Sequence, residues 1–131
     1  MKKGGILNPQ LLLVIASMGH TDTLVIADSG LPIPADVLRI DLTLVAGVPP
    51  FLQTLEAVLK ELQVEGAVVA DEMIRRSPDL YRAVRRVLEG IPLETIAHDV
   101  LKSMLPRARA VIRTGEQTPY ANIILRSGVV F

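Results

Sequence analysis

Several short apolar runs, each ending abruptly at a polar side chain, decide most of what this sequence can fold into. Thr23-Leu-Val-Ile-Ala27 stops at Asp28, residues 66–70 at Asp71, residues 93–97 at His98 and residues 108–112 at Arg113. Runs this short, rich in β-branched residues and without polar alternation, read as strands covered on both faces. Two further strands are predicted over 37–42 and 122–125. Most of these runs are separated by helical stretches. Asn8-Pro9 opens one over 9–18, with asparagine as N-cap and proline at the first helical position, and Gly19 closes it. Others are predicted over 49–62, over 78–89 with caps at Ser77 and Gly90, and over 98–105. Leu31-Pro-Ile-Pro34 is a loop, because two prolines remove two ladder donors.

Strands that alternate with helices imply an α/β fold with a mostly parallel, mixed sheet between two helical layers, α/β/α. The 131 residues make one domain, 1–131. No helix separates the last two strands, so the reading puts one of them antiparallel at an edge. The C-terminal ends of parallel strands share one edge, where open α/β sheets bind ligands. Asp28, Asp71, His98 and Arg113 are therefore expected along a single rim. The alternative is that strand ends are simply where any chain turns polar.

Composition narrows the function. Hydrophobic residues reach 50% and mean hydropathy is +0.40, which fits either a membrane protein or a subunit that hides apolar surface against its own copies. The longest uncharged stretch, residues 6–21, is interrupted by Asn8, Pro9, Gln10, Ser17 and His20 and falls short of the ~20 apolar residues a bilayer requires. It carries no signal-peptide cleavage pattern. A soluble, cytoplasmic homo-oligomer is the expectation. Lys+Arg 14 against Asp+Glu 14 gives no pull toward nucleic acid or anionic membrane, and 3% aromatic residues give no stacking platform for bases. Without cysteine there is no disulfide framework, no thiolate metal site and no thiol nucleophile. His20 and His98 lack helical metal-ligand spacing, Asp28-Ser-Gly30 is not a dinucleotide fingerprint, and there is no P-loop or nucleophile elbow. No metal or cofactor is implied.

What remains is general acid–base work by His20 or His98, the side chains that titrate near neutrality unaided. His20 follows a helix C-terminus. It either interacts with the helix dipole or carries a proton, with Asp22 or Asp28 as the neighbour that holds it. His98 shares a helical face with Lys102, four residues on. Tyr120-Ala-Asn122 has the composition of an ordinary turn into the last strand.

In order and at matching spacing, Ile6-Leu-Asn8, Gly19-His-Thr-Asp-Thr23, Val25-Ile-Ala-Asp28, Gly30-Leu-Pro-Ile-Pro34, Ile40-Asp41, His98 with Lys102, Ala110-Val-Ile-Arg-Thr-Gly-Glu116, Pro119-Tyr-Ala-Asn-Ile-Ile-Leu125 and Gly128-Val with Phe131 run the length of the chain. Together they resemble the D-ribose pyranase family, within the wider group that also holds L-fucose mutarotase. The resemblance implies a small α/β subunit that interconverts the pyranose and furanose rings of D-ribose. It implies that His20 is the proton donor and that Asp28, His98, Tyr120, Ala121 and Asn122 bind the sugar. It also implies a decamer of two stacked pentameric rings with sites between subunits.

Ring exchange requires opening the hemiacetal, with a proton delivered to the ring oxygen and another taken from the anomeric hydroxyl. An imidazole suits both directions at neutral pH, and Asp22 is a candidate to orient it. Three rivals stay open: a mutarotase for another sugar such as L-fucose, a non-catalytic sugar-binding accessory of ribose uptake, and a purely structural oligomer.

Overall fold

The computed structural model describes residues 1–131. Six strands form one sheet in the order β2-β5-β1-β6-β3-β4: β1 (Thr23–Ala27), β2 (Arg39–Asp41), β3 (Val64–Ala70), β4 (Leu93–Ile96), β5 (Ala110–Arg113) and β6 (Ile123–Ser127). Every pairing is parallel except those of β6, which runs antiparallel to β1 and β3. The odd strand is thus at the centre of the sheet, not at an edge as the sequence reading had it. At the centre Ile123 and Leu125 are buried in the core on one face and Ile124 in the core on the other.

Two cores flank the sheet. On one face α1 (Pro9–Ser17), α2 (Phe51–Leu59), α3 (Asp71–Arg76) and α4 (Pro78–Leu88) pack over Leu24, Ile26, Ile40, Ile112, Ile123 and Leu125. On the other, α5 (His98–Met104), a 3-10 turn at Leu105–Arg107 and the loop bearing Leu31 and Val37 cover Val25, Ala27, Val111 and Ile124. The three-layer expectation holds, with a thinner second layer.

The asparagine cap on α1 is real: Asn8 Oδ1 accepts from the Leu11 N–H at 2.9 Å. The serine cap on α4 is not. Ser77 makes no side-chain cap bond, and its hydroxyl donates instead to the Pro119 carbonyl at 2.8 Å. Helix α4 ends at Leu88, with Glu89 in the left-handed conformation at φ 47° ahead of Gly90. The short α3 was not foreseen. Among its six residues only Met73 is buried, so it carries no apolar periodicity.

Two helices whose own N-caps are useless side chains borrow carboxylates from afar. Pro50 cannot cap α2, and Glu116 Oε2 accepts from the Phe51 N–H at 2.9 Å. Ala97 cannot cap α5, and Glu72 Oε2 accepts from the His98 N–H at 2.9 Å. Both satisfy donors that a helix start leaves orphaned, with the favourable charge sign. No helix is long and apolar enough to cross a membrane.

Candidate active site

Because five strands are parallel, Asp28, Asp71, His98 and Arg113 do follow or end their strands at one edge. The antiparallel β6 begins at that same edge, which brings the turn before it, Tyr120–Ala121–Asn122, in between β1 and β3. Asn122 lies one residue outside the strand, and this frees its side chain to face Asp28.

The two residues grip each other reciprocally. Asn122 Oδ1 accepts from the Asp28 N–H at 2.9 Å, and Asn122 Nδ2 donates to Asp28 Oδ2 at 3.0 Å. Asn122 is fully buried, and only one orientation of its amide satisfies both bonds. Asp28 Oδ1 also accepts from the Gly30 N–H at 3.0 Å. An ionised carboxylate has about four acceptor positions, so Asp28 is held in a fixed plane with capacity left for a hydroxyl-bearing ligand.

Tyr120 adopts a left-handed backbone at φ 62°, which costs a non-glycine residue on the order of 1 kcal/mol. The Asn122 N–H closes the turn on the Tyr120 carbonyl at 2.8 Å, Ala121 is fully buried beneath it, and the Ser77 hydroxyl anchors Pro119. The strained turn delivers the tyrosine ring edge-on to His98, with centroids 5.1 Å apart and planes at 85°. His98 is positioned by the Glu72 bond to its backbone, and its Nδ1 is buried without a hydrogen-bond partner in the chain. An unmatched buried polar atom costs about 1–3 kcal/mol, and such costs gather at functional sites.

The rim is braced on the β5 side. Arg113 Nε donates to the Ser29 carbonyl at 3.1 Å and Nη1 reaches Asp41 Oδ2 at 3.1 Å. Arg113 is thus spent on the scaffold. Burial pushes the Asp41 carboxyl up, but hydrogen bonds from the Thr43 backbone and side chain and the Arg113 charge outweigh it and hold it below the usual range. Burial likewise pushes the Glu116 carboxyl up. The Thr118 hydroxyl and the N–H groups of Phe51, Thr118 and Gln117 more than offset this, so it too stays low. Lys102 is paired with Asp99 at 2.9 Å.

His20 is elsewhere. It precedes β1 whereas Asp28 follows it, so within one chain the two stand at opposite edges of the sheet. Its ring Nε2 lies 2.8 Å from Glu65 Oε2, which corrects the expectation that Asp22 or Asp28 holds it. Asp22 instead accepts from the Gly19 N–H at 2.9 Å and pairs with Arg109 Nε at 3.6 Å, shaping the turn that carries His20. Sequence reasoning missed Glu65, since 45 residues separate it from His20 and no spacing rule links them. The candidate residues of one chain therefore fall into two groups: Asp28, His98, Tyr120, Ala121 and Asn122 at one edge, His20 with Glu65 at the other. No group of three or more histidine and acidic side chains converges as a metal would require.

Comparison with known proteins supplies the context. The sequence profile of the RbsD / FucU transport protein family matches residues 1–130. The chain is 57% identical to a D-ribose pyranase of Geobacillus kaustophilus over 131 residues, covering 100% of this chain and 96% of the relative. It superposes on a solved structure of Bacillus subtilis RbsD complexed with D-ribose with a TM-score of 0.97 at 44% identity, covering 100% of both chains. A fucose mutarotase of Streptococcus pneumoniae in complex with L-fucose shares the fold, with a TM-score of 0.83 at 24% identity over 95% of each chain.

Proposed function

Because the chain belongs to the RbsD / FucU transport protein family, we propose that it is an isomerase interconverting the pyranose and furanose rings of free D-ribose. The observation that carries this reading is the Asp28–Asn122 pair: a carboxylate and an amide locked in one plane at the strand edge where α/β sheets take ligands. Polyhydroxylated ligands are recognised by such fixed, paired acceptors and donors, beside an apolar ring face such as that of Tyr120.

In our reading Asp28 accepts from sugar hydroxyls and Asn122 orients it. Tyr120 and His98 flank the sugar, and the Ala121 backbone completes the grip. His20 of a second copy delivers a proton to the ring oxygen as the bond from C1 to that oxygen breaks, while the anomeric hydroxyl passes its own proton to solvent water as the C1 carbonyl forms. The aldehyde recloses through a different hydroxyl by the reverse transfers, so no net proton is consumed. A positioned acid of this kind contributes about 10²–10⁴-fold.

The need for a second copy follows from the separation of these two groups of residues. When two different patches meet head-to-tail, the contact closes into a ring where the rotation between successive copies closes. Our reading takes that ring as a pentamer, two of which stack into a decamer. Leu7, Leu13, Leu44, Val130 and Phe131, all exposed in the single chain, support burial against further copies. The reading assigns the reaction to the cytoplasm.

Magnetisation exchange between ribose ring forms, followed by NMR with and without protein, tests the proposal. His20→Ala is expected to keep the fold and the ribose affinity while losing about 10²-fold or more of the acceleration. Ribose binding without faster exchange in the unmutated protein would refute it in favour of a non-catalytic sugar binder.

A further inference from the structure

Glu65 sits at the one irregularity in the ladder between β3 and β6. The register of β3 against β6 runs Val64↔Ser127 and then Gly66↔Arg126, so Glu65 is an extra residue without an opposite number. A bulge of this kind re-aims a side chain and recurs beside active sites. Here it turns the carboxylate so that its two oxygens serve different partners: Oε2 meets His20 Nε2 at 2.8 Å and Oε1 meets Arg126 Nε at 3.1 Å. Arg126 is itself placed by register, opposite Thr23 of β1 on one side and Gly66 of β3 on the other. A Cβ on Gly66 would come within 3.0 Å of the Arg126 guanidinium, so the missing side chain clears its path.

The backbone around His20 is pinned as well. The Thr21 N–H donates to the Ser127 carbonyl at 2.9 Å and the Gly19 N–H to Asp22 Oδ2 at 2.9 Å. With the main chain fixed on both sides, the remaining freedom is the orientation of the imidazole ring, and one carboxylate oxygen fixes that. The hydrogen bond made by one ring nitrogen decides which tautomer the other presents.

We infer that Glu65, steadied by Arg126, is a positioning residue that holds His20 with Nε2 turned into the protein and leaves Nδ1 as the nitrogen that exchanges the proton with the sugar. This rests on the assignment of His20 as proton donor. Neutral His20 then carries its proton on Nε2, and the imidazolium donates through Nδ1. The same carboxylate steadies the ring while it is charged.

The test uses the assembled protein. Long-range ¹H–¹⁵N correlation assigns the tautomer of neutral His20, and NMR exchange at varied ribose concentration separates kcat from KM. Protonation on Nε2 is expected in the unmutated protein, and a mixture of tautomers in Glu65→Ala. Glu65→Gln keeps the shape of the bulge but removes the charge. It is expected to lower kcat about tenfold or more, as loss of a carboxylate behind a working histidine does, with KM nearly unchanged. Neutral His20 protonated on Nδ1, or an unmutated kcat in Glu65→Gln, would overturn the inference while leaving His20 as donor. Full activity in His20→Ala would overturn the donor assignment itself, so the two failures are distinguishable.

Discussion

If each site draws His20 from one copy and the Asp28 rim from another, mixing two crippled chains should restore activity. The structural reason is distance. A general acid works only within about 3 Å of the atom it protonates. β1 alone contains five residues, and at about 3.3 Å per residue its ends stand about 13 Å apart. His20 lies before the strand and Asp28 beyond it, so no rotamer change closes the gap.

Co-expression of His20→Ala with Asp28→Ala therefore gives a countable result. In a randomly mixed assembly half the sites receive an intact histidine and half an intact rim, so about one quarter have both, for a head-to-tail interface. Neither variant alone has any complete site. A site contained in one chain would yield none in the mixture. The converse mixture discriminates as sharply: unmutated chain with the double variant gives about one quarter under the shared arrangement and about one half under the self-contained one. The assay is ribose exchange by NMR, on assemblies carrying both of two different tags. A mixture of single variants that stays inactive, though both chains are present in one particle, would refute the split site.

Two further expectations concern the scaffold of the rim. Asn122→Asp replaces the donor facing Asp28 Oδ2 at 3.0 Å with a second carboxylate oxygen. Losing that charge-assisted bond should weaken ribose binding about tenfold to a hundredfold, measured by calorimetric titration, while unweakened binding would remove Asp28–Asn122 from the sugar contact. Glu116 has its carboxyl held low in the folded state. Its contribution is therefore complete above its ordinary value of 4.5 and fades as pH falls through the lower folded value. Glu116→Ala should cost about 1 kcal/mol at neutral pH, as loss of a helix cap does, and show a weaker loss of stability on acidification below 4.5. Equal acid sensitivity of variant and parent in denaturant melts would contradict this.

Much of the fold is legible in the sequence because it is encoded locally. The apolar run at 23–27 and the Asn8 cap are recovered as β1 and the start of α1, since β-branched content and capping chemistry act within a few residues. Strand order is another matter. Nothing local to Ile123–Ser127 says that it inserts between β1 and β3, because its burial on both sides follows from which neighbours it acquires. Ser77 shows the same limit in miniature: the residue type predicts a cap, but the Pro119 carbonyl, brought near only by the tertiary fold, takes the hydroxyl.

The residues proposed for function divide along the same line. That His20 and Asp28 cannot meet in one chain is implied by the strand between them, since a strand's two ends are necessarily far apart. Seen from the sequence, though, the question of who holds His20 points to its neighbours Asp22 and Asp28, because proximity in sequence is the only proximity available there. The fold answers otherwise. β6 separates β1 from β3 by two strand spacings, about 10 Å, too far for a direct backbone contact. A bulged glutamate on β3, with the Arg126 side chain bridging from β6, spans that gap to the imidazole. The carboxylate that serves the proposed acid thus depends on an antiparallel strand at the sheet's centre and a one-residue slip in its register. Shifting that register, by deleting Glu65 from the chain, should therefore disconnect His20 even though every residue assigned to the sugar remains in place.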